Sequence, residues 1–127
     1  MGSDSRAFVG QAELLVRYRY VPQPRFEIDF MVDVSATGGG VGDVAVEVKP
    51  EGFDVMSGDL EWSTSLRDGD EHTETLRLRA AGKSKTPAVT VVTRRGQGGV
   101  DLATDRLRFV IAEDIVRECR ATDECPR

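Results

Sequence analysis

A chain of 127 residues is close to the commonest size of one domain and long enough to bury a core, so a single domain over 1–127 is expected. A formal net charge of −5 argues against a phosphate-binding surface, because nucleic-acid binders cluster Lys and Arg against a polyanion; nucleic acid is not an expected partner. No run approaches the roughly 20 consecutive apolar residues that cross a bilayer, so no membrane span is expected, and Met1-Gly2-Ser3-Asp4-Ser5 contains no apolar signal core.

Residues 1–10 read as a flexible or tethered tail. The segment 14–21 then puts Val16, Tyr18 and Tyr20 on one face and Arg17 and Arg19 on the other, and it ends at Pro22-Gln23-Pro24, where two prolines enforce a turn. From Phe26 to Val34 the residues Phe26, Ile28, Phe30, Val32 and Val34 alternate with mostly acidic neighbours. Period two over this length predicts a half-buried strand. If these two strands are neighbours, Arg17 and Arg19 face Glu27, Asp29 and Asp33 on the outer side as cross-strand charge pairs.

Gly38, Gly39, Gly40 and Gly42 then form a flexible turn, and residues 44–49 alternate as a third strand. Pro50-Glu51-Gly52-Phe53 punctuates the chain, a short edge strand runs through Leu60-Glu61-Trp62, and Leu66-Arg67-Asp68-Gly69-Asp70 reads as a tight turn. In 72–80, Leu76, Leu78 and Ala80 point inward. Two further strands are expected at 88–93 and 107–111, and residues 112–120 lack clean alternation and read as a short helix or coil. About seven strands at this spacing predict an all-β, immunoglobulin-like antiparallel β-sandwich with a short C-terminal helix. The expected core is Val16, Tyr18, Phe26, Ile28, Phe30, Val32, Val46, Trp62, Leu76, Leu78, Val89, Val91, Leu107 and Phe109.

The valine strand at 44–49, the Pro50-Glu51-Gly52-Phe53 step and the Leu66-Arg67-Asp68-Gly69-Asp70 turn before a Thr-rich strand at 73–80 occur in an order that resembles the Ig-like accessory domains of bacterial surface and secreted proteins. These include the alpha-galactosidase-associated and cell-adhesion-related bacterial types. The resemblance spans residues 26–93, with Thr37 and three glycines where the family pattern has an asparagine. It implies a non-catalytic module attached to, or assembled with, a larger extracytoplasmic machine, and it supplies no site residues.

Individual residues test the chemistry. His72, the only histidine, stands beside Glu71 and Glu74, but a metal site needs three or four converging ligands and a triad needs an aligned nucleophile. It reads as a solvated turn residue. Ser63 and Ser65 lie nearby without a nucleophile-elbow pattern. Asp68-Gly69-Asp70-Glu71 is rich in oxygen ligands yet far shorter than a twelve-residue calcium loop, and the glycine cluster precedes a strand where a phosphate loop would precede a helix. No metal, cofactor or catalytic residue is therefore expected, and the chain is not expected to be an enzyme.

A protein-interaction or spacer role in the cell envelope is the expected function, with a carbohydrate-binding module as the alternative. A sugar binder would align Trp62, Tyr18 or Tyr20 on one exposed face. Val89, Thr90, Val91 and Val92 form an apolar, β-branched run expected to be an open sheet edge, suited to strand addition by a protein partner or to a weak homodimer. Finally, Cys119 and Cys125 are separated by five polar or small residues and are expected to form a disulfide that tethers the tail at 119–127, placing the protein in the periplasm or outside the cell. So short a ring stabilises by about 2 kcal/mol or less.

Overall fold

Alternation along the sequence becomes alternation across two sheets. The structure, a computed structural model, describes residues 2–82, 86–96 and 98–119. Among them are ten strands: β1 (Gly2–Val9), β2 (Ala12–Gln23), β3 (Glu27–Thr37), β4 (Gly42–Glu51), β5 (Phe53–Ser57), β6 (Glu61–Leu66), β7 (Glu71–Ala80), β8 (Ala88–Arg95), β9 (Asp101–Ala112) and β10 (Ile115–Glu118). They form two five-stranded antiparallel sheets, ordered β1-β2-β3-β7-β5 and β10-β9-β8-β4-β6. The fold is an all-β sandwich. In immunoglobulin lettering the first sheet reads A-B-E-D through β2, β3, β7 and β5, and the second reads G-F-C through β9, β8 and β4.

The expected strands are all present, and three more join them. β1 lies where a tail was expected over 1–10; it pairs along its whole length with β2, from Gly2 opposite Arg19 to Val9 opposite Ala12. β5 follows the Pro50-Glu51-Gly52 step, where the chain leaves the second sheet for the first and inserts Phe53 edge-on against Phe109 at 5.6 Å between ring centroids. β10 stands where a short helix or coil was expected: the chain reverses at Glu113 and Asp114, so Val116 is fully buried while Ile115 and Arg117 face out. Four residues with two adjacent β-branched side chains suit a short strand better than one turn of helix.

Between the sheets, Tyr18, Phe30, Phe109, Leu14, Ile28, Leu66, Leu76 and Leu78 are among the largest fully buried side chains. Twelve of the fourteen expected core residues are buried; Phe26 and Trp62 are not. Phe26 sits in the β2–β3 turn, where Arg25 and Phe26 both have φ near +66°, so β3 begins one residue later and the phenyl ring is 38% exposed. The expected charge match across β2 and β3 is present at Asp33 alone: Arg17 stands opposite Asp33 and Arg19 Nη2 lies 3.2 Å from Asp33 Oδ2, whereas Glu27 and Asp29 pair with Arg77 of β7 on the other side of β3. Thr73 completes the Asp33 cluster by donating from its hydroxyl.

Candidate functional site

Val89, Thr90, Val91 and Val92 do not form an edge. β8 is hydrogen-bonded on both sides, to β4 with Val48 opposite Val91 and to β9 with Val91 opposite Asp105, and Val89 and Val91 are fully buried. The reason is topological: an apolar, β-branched run is the composition of a central strand buried on its inner face as much as that of an unguarded edge, and period alone does not tell the two apart.

Among the described residues the sheets end at β1, β5, β10 and β6. β1 carries Asp4 and Arg6, β5 has a bulge between Val55 and Ser57, and β10 has only four residues. Charges, bulges and brevity are the usual protections of an edge. β6 has little of this. Its six residues, Glu61-Trp62-Ser63-Thr64-Ser65-Leu66, contain no Lys or Pro, and their register against β4 runs unbroken from Gly42 opposite Leu66 to Glu47 opposite Glu61.

The hydrogen-bond phase of β6 determines which groups face outward. The Leu60 carbonyl accepts from the Val48 N–H at 2.7 Å and the Leu66 carbonyl accepts from the Val41 N–H at 3.1 Å, so the even-numbered positions turn their main-chain groups toward β4. Glu61, Ser63 and Ser65 turn theirs outward. Their side chains are also exposed, on the outer face of the sheet, beside a groove of about 400 Å³ lined by Ala45, Val46, Glu47, Glu61, Trp62, Arg94 and Gly98. On that face Arg94 is held by Glu47 at 3.0 Å and Asp101 at 2.9 Å, and these carboxylates keep its guanidinium above the ordinary arginine range.

Trp62 points to the inner face, half-buried, with its ring 5.1 Å from that of His72 on β7. The contact closes the mouth of the sandwich between the two sheets. His72 is thus a strand residue and not the turn residue expected from sequence; its Nε2 lies 3.0 Å from Glu74 Oε1. Ser63 and Ser65 face the opposite side of β6 from Trp62, away from this imidazole. Trp62 Nε1 and Thr93 Oγ1 are buried polar atoms without a hydrogen-bond partner among the described residues, and they belong to neighbouring positions, because Val46 lies opposite both residues.

The remaining aromatic candidates are drawn inward. Tyr18 is buried and donates to Asp105 Oδ2 at 2.5 Å, while Tyr20 packs edge-on against Phe109 at 5.4 Å and accepts from the Glu118 N–H at 3.0 Å. Asp68, Gly69 and Asp70 lie in the β6–β7 turn, in which the Asp70 carboxylate accepts from the Arg67 N–H at 2.8 Å, and Glu71 opens β7. Among the described residues no three His, Cys, Asp or Glu side chains converge as a cation site requires, and no helix is long and apolar enough to cross a membrane. Cys119 follows β10 with its N–H on the Arg108 carbonyl at 2.8 Å, and Cys125 lies outside the described residues.

No family model and no curated protein matches the sequence. Among solved structures, a FixG-related protein from Vibrio parahaemolyticus superposes with a TM-score of 0.53 at 14% sequence identity, covering 80% of this chain and 97% of that one. At that identity the likeness is one of fold.

Proposed function

We propose that this domain is a non-catalytic protein-interaction module of a bacterial cell-envelope or secreted protein, and that it recruits a polypeptide by strand addition along β6. The observation that carries this reading is the edge itself: six residues in regular register, outward main-chain donors and acceptors at Glu61, Ser63 and Ser65, and neither lysine, proline nor bulge to turn another strand away. Main-chain hydrogen bonds supply affinity in this mode, and the groove beside Glu61 and Arg94 gives an added strand a place for alternate side chains. The inward packing of Tyr18, Tyr20 and Trp62 supports a polypeptide over a sugar, which would stack on an exposed aromatic row. The resemblance to bacterial Ig-like accessory domains and a Cys119–Cys125 bridge formed in an oxidising compartment belong to the same proposal and support a periplasmic or extracellular location.

The test is site-specific photo-cross-linking in cells that naturally produce the chain. A benzophenone side chain at Ser63 or Ser65 is expected to give a discrete adduct with a polypeptide, and one at Thr104, exposed on the outer face of β9, is not. No adduct at either β6 position, or equal adducts at Thr104, would overturn the reading.

A further inference from the structure

The sequence of β6 with its next residue is complementary to itself when reversed. Glu61-Trp62-Ser63-Thr64-Ser65-Leu66-Arg67 folded about Thr64 sets acid against base, aromatic against aliphatic, and serine against serine. We propose that the strand added to β6 is β6 of a second copy of this chain, antiparallel, with a two-fold axis through the Thr64 pair. This rests on the reading of β6 as a docking edge and names its occupant.

Three constraints select the register. A two-fold axis perpendicular to the sheet keeps inner faces together, so only residues of like parity can stand opposite one another. The hydrogen-bond phase then requires the outward-facing odd positions to exchange main-chain bonds, which pairs Ser63 with the partner's Ser65 and leaves Thr64 and the partner's Thr64 as a non-hydrogen-bonded pair on the axis. Centring on Ser63 satisfies both conditions as well, but it sets Glu61 against serine and Trp62 against threonine. Centring on Thr64 sets the exposed side chain of Glu61 against the exposed side chain of the partner's Arg67, twice over by symmetry, while the Arg67 main chain stays in its own β6–β7 turn and Leu66 stays in its own core. Charge complementarity chooses Thr64. The product is one continuous sheet running through both molecules, with the two edges most open to addition closed against each other.

The purified full chain is expected to show a reversible monomer–dimer equilibrium in analytical ultracentrifugation between about 10 µM and about 1 mM, the range of a small edge-to-edge interface. Ser63→Pro removes an outward N–H and leaves the ladder to β4 intact, so it is expected to abolish the dimer while the circular dichroism spectrum stays that of the wild type. Glu61→Arg is expected to weaken the dimer about tenfold by placing like charges opposite each other, and adding Arg67→Glu to restore it to within about twofold. Thr64→Cys is expected to cross-link to itself on oxidation, since non-hydrogen-bonded pairs hold their Cα atoms within disulfide reach, and Ser63→Cys is not. A wild type that stays monomeric throughout, a dimer indifferent to Glu61→Arg, or self-cross-linking through Ser63→Cys would overturn the inference. If the wild type is monomeric and Ser63 still captures a different polypeptide in cells, strand addition survives and only the second copy falls.

Discussion

Asp105 shows how one residue joins two sheets. It points inward from β9, accepts from the Tyr18 hydroxyl at 2.5 Å and from the Ser5 hydroxyl at 2.7 Å, and so ties β1 and β2 of one sheet to the other across the core. Burial, first, then the bond to Asp105 and its negative charge push the ionisation of Tyr18 far above its ordinary 10.0. The linkage has a definite sign. Below pH 10 both folded and unfolded chains hold this proton, and the contribution to stability is fully present; above it the unfolded chain releases the proton while the folded chain keeps it. Stability therefore falls with rising pH by about 1.4 kcal/mol per unit from this group alone. Tyr18→Phe is expected to cost about 1–3 kcal/mol at neutral pH, because it takes a donor from Asp105, and to flatten the alkaline slope. Urea unfolding at pH 7 and at steps above pH 10 measures both; a variant as steep as the wild type would show that Tyr18 is not the group responsible. The Arg19–Asp33 pair was legible in the sequence because alternation and adjacency fix it. Tyr18 and Asp105 are 87 residues apart, and what brings them together is the stacking of the sheets, which no period encodes.

At the scale of elements, the sequence carried strand identity well and strand position poorly. Period two found β2, β3, β4 and β7 because each has a wet face and a dry one. It said nothing about neighbours, so β8 was expected at an edge and lies in the middle of its sheet, while β6, with only two strongly apolar residues, gave a faint signal and supplies the candidate site. β5 was hidden because the switch between sheets looks like a turn in sequence. The return from β5 to β6 depends on Gly58, whose φ is +97° and whose missing Cβ would lie 2.7 Å from the Thr75 carbonyl oxygen and 3.0 Å from Leu76 Cα. Gly58→Ala combines a backbone conformation that L residues avoid with a collision against β7 main chain, and is expected to destabilise by about 2 kcal/mol or more. Gly69→Ala, with φ +86° and nothing within 4 Å of the added methyl, carries the conformational cost alone, about 1 kcal/mol. If thermal or urea denaturation finds the two variants equal, the close approach of the β5–β6 return to β7 is wrong.

On the scale of the whole molecule, the question is whether two sheets make one cooperative unit. The chain crosses between them after β3, β4, β5, β6 and β7, so neither sheet is a continuous stretch of sequence and neither can complete its ladders before the other is largely in place. β3 pairs with β7 and β4 with β8 across long intervening segments, a topology dominated by non-local contacts, which folds in about milliseconds to seconds. Trp62 is the only tryptophan, and it reports the meeting of the sheets, since it belongs to β6 in one and packs at a tilt against His72 in β7 of the other. Far-ultraviolet circular dichroism reports the strands themselves. If the sandwich is a single cooperative unit, both signals must follow one urea transition, with a slope of about 1–3 kcal/mol per M and the same midpoint. Tyr18→Phe must then shift both midpoints together although Tyr18 stands on β2 of one sheet and Trp62 on the edge strand β6 of the other, because loss of the Asp105 tie weakens the docking of the whole pair of sheets. A Trp62 transition that precedes the loss of strand signal would instead mean that the mouth of the sandwich, where β6 and the start of β7 meet, unfolds on its own.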